Sequence, residues 1–159
     1  MPKKTYTQIN SVNLATAASS ASFSSLPQNF RDLVLVVSGA ITGSQGNNFL
    51  YFNNDTTQAN YHYVRILGDG SSPSAANDAN ATVSDMVSSQ NNVIVHIFDY
   101  SASDKQKSRL SRSNQPSSTV IAYASRWNNS SPVTTVTFAG GNGGNLAAGT
   151  TVTLYGIEA

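Results

Sequence analysis

Apolar positions in this chain of 159 residues come in short runs separated by polar turns, and the longest uninterrupted run is the Leu33-Val34-Leu35-Val36-Val37 inside Asp32-Leu33-Val34-Leu35-Val36-Val37-Ser38. A run of that length cannot span a membrane. Its β-branched content, with Pro27 before it and Gly39 after it, predicts a strand buried on both faces and central in a sheet. Shorter, half-exposed strands follow from alternation elsewhere. Tyr6, Ile9, Val12 and Leu14 mark a first strand with an irregularity near Asn10-Ser11, where strict alternation fails. Residues 15–20 read as a turn, since a helix there would have no face to pack, and residues 22–26 form a short edge segment stopped by Pro27. Phe49-Leu50-Tyr51-Phe52 is an aromatic strand ending at Asn53-Asn54-Asp55. Residues 61–67 put Tyr61, Tyr63, Arg65 and Leu67 on one face and His62, Val64 and Ile66 on the other. Residues 93–98, 119–127, 133–138 and 150–157 complete the strongly patterned strands.

Two stretches carry weaker patterns. Residues 105–113 alternate charge with Ser around a single Leu110, which predicts an exposed edge strand whose Lys and Arg discourage unwanted pairing. Residues 71–92 hold only Val83, Met86 and Val87 as large apolar residues and read as a long excursion with one short element, a first candidate for an inter-subunit or host-facing surface. Residues 42–48 read as a Gly/Ser/Asn loop, and residues 140–144 as a glycine-rich hairpin connection. The sum is nine or ten short strands with turn signals every 8 to 20 residues and no amphipathic helix. That pattern predicts an all-β, two-sheet β-sandwich, a jelly roll in the first instance and an immunoglobulin-like sandwich as runner-up. Residues 1–159 form one domain, with residues 1–20 an N-terminal strand or arm.

Composition narrows the function classes. Charged residues are 11% of the chain, against roughly 25% in ordinary soluble domains, and the net charge is +1. Solubility rests on Ser, Thr, Asn and Gln, and such a surface repels neighbours weakly enough to suit dense packing against other chains. The one local excess of positive charge is Lys105, Lys107, Arg109 and Arg112, too little for the basic stripe of a nucleic-acid binder. There is no cysteine, which removes disulfides, thiolate metal sites and a Cys nucleophile together. Met1-Pro2-Lys3-Lys4 has no apolar segment behind it, so neither a secretory signal nor a membrane span is expected.

Candidate chemistry is sparse. His62 and His96 lie on separate strands and lack a second pair at ligand spacing, so a metal site is not expected. Residues 99–104 offer alternating oxygens but lack the glycine and the bidentate Glu of a calcium loop, and Asn53-Asn54-Asp55-Thr56 reads as a turn for the same reasons. Residues 140–144 lack the Lys-Ser/Thr and the helix of a phosphate cradle. No G-x-S-x-G elbow occurs. Asn54, Asn80, Asn128 and Asn129 head formal N-x-S/T sequons, read as chance matches in so Asn- and Ser-rich a chain. Trp127, the single tryptophan, is either a core-edge anchor, the preferred reading, or a sugar-stacking platform flanked by Asn128 and Asn129 as amide hydrogen-bonders.

Five segments carry a resemblance: residues 23–35, Phe52-Asn53-Asn54-Asp55 with Asn60-Tyr61, Asp99-Tyr100-Ser101, Trp127 before Val133-Thr134-Thr135-Val136-Thr137, and Ala148-Gly149-Thr150-Thr151-Val152-Thr153-Leu154-Tyr155-Gly156-Ile157. In this order they resemble small tailed-phage virion proteins that end in a G-S/T-x-x-T-L-Y-G-I segment. The likeness covers about residues 21–157. It implies a non-enzymatic particle protein: a capsid decoration (cement) protein, or a tail-fibre or receptor-binding module that recognises a host glycan. No catalytic residue, cofactor or metal comes with it. The chain shows no collagen-like or coiled-coil stalk, which favours decoration. The implied partners are the major capsid protein and two further copies in a homotrimer, with neither nucleic acid nor membrane. The implied location is the outer capsid surface of the virion, after synthesis in the host cytoplasm.

Overall fold

Period-two alternation becomes pleated strand along almost the whole chain. The computed structural model describes residues 4–43, 45–116 and 119–158. Met1, Pro2, Lys3 and Ser44, on which the readings of the amino terminus and of the 42–48 loop partly rest, lie outside the described residues. Twelve strands form: β1 (Tyr6–Asn13), β2 (Ser20–Phe23), β3 (Asp32–Gly39), β4 (Gln45–Phe52), β5 (Tyr61–Gly68), β6 (Ser74–Asp78), β7 (Thr82–Val87), β8 (Asn91–Phe98), β9 (Lys107–Asn114), β10 (Val120–Trp127), β11 (Val136–Gly140) and β12 (Thr151–Ile157). The single helical turn among the described residues is a 3-10 turn, Gln58–Asn60.

An eight-stranded sheet runs β1-β12-β3-β8-β9-β10-β5-β6 and a four-stranded sheet β2-β11-β4-β7, with every pairing antiparallel. The two pack as a sandwich, as the alternation predicts. β3 is internal, between β12 and β8. Its inward residues Leu33, Leu35 and Val37 are fully buried, while on the outward side Val34 is buried and Val36 only partly so. The irregularity expected in the first strand is a register shift between Gln8 and Asn10 that places Ile9 against the core.

The interior is lopsided. Beneath β12, β3 and β8 it is apolar, with Leu154, Leu35 and Val95 facing Phe23, Leu50 and Phe138 of the small sheet. Beneath β9 and part of β10 and β5 it is polar, lined by Arg109, Ser111, Ser113, Ser125 and Tyr123, with Asp85 buried on β7, while Tyr61, Ile121 and Trp127 keep the rest of β5 and β10 apolar. This overturns the edge-strand reading of residues 105–113. β9 pairs on both sides, with β8 and β10, and turns Lys107, Arg109, Ser111 and Ser113 inward while Leu110 faces water.

The charges survive burial because each finds oxygen. Lys107 Nζ donates to the carbonyls of Ala102 (2.6 Å), Lys105 (2.8 Å) and Ser130 (3.0 Å), which uses all three of its protons. Arg109 spans the two sheets. Its Nε donates to Ser125 Oγ at 3.0 Å and its Nη1 to the Leu50 carbonyl at 2.6 Å, while the guanidinium lies 5.0 Å from the Tyr61 ring centre and 5.4 Å from that of Phe52. No carboxylate pairs with it among the described residues. Burial alone pushes its pKa down, to about 10, so it stays a cation at neutral pH.

Three further readings change. Residues 71–92 hold two strands, and β7 among them is buried and packs over β8, β9 and β10. Small polar residues hid it, because Thr82, Ser84 and Asp85 face a polar interior. β4 begins at Gln45, inside the expected loop. Residues 140–144 do not close a hairpin, since β11 belongs to the small sheet and β12 to the large one. The terminal Tyr155-Gly156-Ile157 gains a physical reason: a methyl on Gly156 would run into the Phe30 ring.

Two stability predictions follow from this packing. Arg109→Ala is expected to cost about 3–5 kcal/mol, from a cavity plus an orphaned Leu50 carbonyl. Arg109→Met, which refills the volume, should cost clearly less, and equal costs in urea denaturation would show that packing does not matter there. Gly156→Ala should lower stability by about 1–3 kcal/mol through overpacking, and adding Phe30→Leu should recover part of it at unchanged m-value.

Candidate functional site

Trp127, at the end of β10, is 1% exposed. Its ring stacks on Tyr61 (6.4 Å between centres, 19°) and meets Phe52 edge-on (5.6 Å, 72°), and its Nε1 donates to Asp55 Oδ2 at 2.8 Å. No face of the indole is left for a sugar. Asn128 and Asn129 are exposed above it. The Asn128 N–H donates to the Asn60 carbonyl at 2.7 Å, and Asn129 Oδ1 accepts from the Ser131 N–H at 2.8 Å. The three residues therefore do not converge on a ligand, and the ring is a core anchor.

The turn holding that anchor is built from Asn chemistry. Asn53 and Asn54 take left-handed backbone (φ 51° and 60°), which Asn tolerates. Asn53 Oδ1 accepts from the N–H groups of Thr134 (2.8 Å) and Thr135 (3.1 Å), and its Nδ2 donates to the Pro132 carbonyl at 2.8 Å. Asp55 is partly desolvated, which opposes ionisation, yet donors from Trp127, Asn60 and Thr57 outweigh this and hold its pKa below the ordinary range. Burial pushes the neighbouring Tyr61 hydroxyl up to about 12.

The histidines stay apart. Both stand on the outward side of the large sheet, His62 on β5 and His96 on β8, three strands or about 14 Å away. His96 stacks on Phe98 at 4.9 Å. No group of three or more His, Cys, Asp or Glu among the described residues could hold a metal ion. The basic cluster also disperses: Lys105 pairs with Asp99 at 3.3 Å, Lys107 and Arg109 turn inward, and Arg112 turns outward.

What the fold brings together is the outer face of the large sheet. One row across it reads Tyr155, Val34, His96, Leu110, Ala124, Val64; the next reads Val36, Ile94, Arg112, Ala122, Ile66, Ala75. Among the described residues the five large apolar ones that are exposed, Tyr6 (52%), Val64 (54%), Ile66 (64%), Leu110 (51%) and Val120 (62%), all lie on this face. Shallow grooves run between its strands, one of about 440 Å³ lined by His62, Val64, Asn77, Asp78, Ala124 and Arg126. Arg112 borders three others, with Ile94, Leu110, Val120 and Tyr6 around it. Exposed apolar residues gathered on one face make it the candidate interaction surface of this chain. The signal was present in the sequence: β5 is as apolar on its His62-Val64-Ile66 side as on its other side, and Leu110 opposes Arg109.

No protein-family description matches this chain, and no curated protein matches it in sequence. Among solved structures it is similar to alginate lyase Aly36B, at 10% identity and a TM-score of 0.37, over 92% of this chain and 77% of that one. A likeness at that level carries no argument about activity.

The Asp55 hub makes a pH prediction. A carboxyl held below its unfolded value of about 3.9 contributes stability that is complete above that pH and is lost as pH falls through its lower folded value. Asp55→Asn should therefore cost about 1–3 kcal/mol at pH 7 and flatten the acid limb of a stability-versus-pH curve below about pH 4. An unchanged acid limb would remove Asp55 from that role.

Proposed function

We propose that this chain is a non-enzymatic structural protein of a tailed-phage virion, a capsid decoration protein that binds the outside of the major capsid lattice and stabilises it. The observation that carries the reading is the unpartnered apolar outer face of the eight-stranded sheet, with Val64, Ile66, Leu110 and Val120 in the open. A face of eight strands is about 34 Å wide and about 26 Å tall, on the order of the 800 Å² that each partner contributes to a standard interface. The resemblance of five segments to small virion proteins supports the particle context, and the low-charge surface suits close packing.

Three of the carboxylates are engaged in holding the fold. Asp55 holds Trp127, Asp85 pairs with Arg65 at 3.1 Å, and Asp32 pairs with Arg31 at 2.9 Å. Decoration acts mechanically: the protein bridges neighbouring capsomers, and its binding free energy adds to that of the lattice. Clustering as trimers around three-fold axes fits the same reading.

Copy number decides it. Quantitative mass spectrometry of purified particles, with the major capsid protein as internal standard, should find hundreds of copies per particle. Particles made without the chain should release their genome at lower temperature. A handful of copies would move the protein to the tail as a fibre or adhesin.

A further inference from the structure

The centre of the outer face carries a single charge, the Arg112 cation, while Asp78 and Arg126 line the groove toward the β6 side. Arg112 stands between Ile94 and Ala122 across the strands and Leu110 and Asn114 along its own. It takes part in none of the ion pairs among the described residues. Arg126 lies toward one end, where its Nη1 donates to Gln106 Oε1 at 2.7 Å. The acids nearest this face are already engaged. Asp32, outward in parity but buried, accepts from Arg31 Nε (2.9 Å) and from the Asp99 N–H (2.9 Å). Asp78, on the β6 edge, accepts from the Ala79 N–H (2.7 Å) and from Asn80 Nδ2 (2.8 Å).

Covering this face with a purely apolar partner would bury Arg112 unpaired, and an unpaired buried cation costs several kcal/mol. A second copy docked centre to centre would set Arg112 against Arg112, and its nearest exposed carboxylate, Asp78 at the β6 edge, is turned to Ala79 and Asn80. A carboxylate on the occupant meets Arg112 with opposite charge and two hydrogen bonds at once. We propose that the outer face docks a protein surface in which apolar residues surround a carboxylate, with Arg112 as the bidentate anchor for that carboxylate and Val64, Ile66, Leu110 and Val120 as the apolar floor. This deepens the decoration reading and rests on it: the carboxylate belongs to the major capsid protein. Arginine suits the role because its planar fork matches a carboxylate and is weakly hydrated.

The test uses purified capsids of the parent phage produced without the chain, to which recombinant protein is added and bound copies are counted. Arg112→Glu should bind at least about 100-fold more weakly than wild type and Arg112→Lys about 10-fold more weakly. Leu110→Asp should also lose binding. Arg112 and Leu110 are exposed, so these variants should unfold at the same urea concentration as wild type. Their size by light scattering should equal that of wild type. Equal binding of Arg112→Glu and wild type would overturn this inference alone and leave decoration standing. A wild-type oligomer that Arg112→Glu dissociates would also overturn it, because the face would then belong to another copy. Failure of the wild type itself to bind capsids would overturn the decoration reading, and this assignment with it.

Discussion

The sandwich depends on a cation held between its sheets. Arg109 reaches from β9 to the Leu50 carbonyl of the small sheet while Ser125 of the neighbouring β10 steadies its Nε, and aromatic rings from both sheets, Tyr61 and Phe52, lie against it. A guanidinium without a carboxylate is costly to bury. It is tolerated here because hydrogen-bond acceptors and ring faces stand in for water. The same rings pack on Trp127, whose Nε1 ties to Asp55 and so to the turn at Asn53 and Asn54. One polar contact and one aromatic cluster thereby tie the two sheets together beside the polar part of the interior.

That polar interior explains which parts of the fold the sequence disclosed. Where alternation separates large apolar residues from polar ones, as in β3, β8, β10 and β12, strands lie within a residue or two of where the pattern puts them. Where the inward residues are themselves Ser, Thr, Asp, Lys or Arg, the pattern inverts. β9 reads as a charged edge because its charges are assumed to face water, yet its inward residues include two cations that donate to carbonyls and a hydroxyl. β7 reads as loop because Thr82, Ser84 and Asp85 look like turn residues, although they are buried. A single sequence cannot announce which polar side chains will find partners across a sheet that has not yet formed.

The candidate site was hidden by the same inversion. Trp127 carried two readings, with the core-edge anchor preferred over a sugar platform, and the buried ring tied to Asp55 is the anchor. The residues that remain for recognition are ordinary Val, Ile, Leu and Ala on the outer side of β5, β9 and β10. Their alternation is as regular as that of the inner side, so periodicity locates the strands without saying which face is dry. Only the placement of the small sheet resolves that.

β9 then carries two roles on opposite faces of one strand. Arg109, inward, ties the two sheets together; Arg112, three residues on and outward, sits in the open apolar lane. The side chains share a backbone but no contact network, so changes to the outer face leave the clamp intact. Local rules are broken twice here, a cation inside and a leucine outside, and such paired violations collect where structure and recognition make competing demands. In a strand selected only for folding, Leu110 and Arg109 would exchange faces. That they do not is the strongest physical reason to regard the outer face of the large sheet as a surface shaped for a partner.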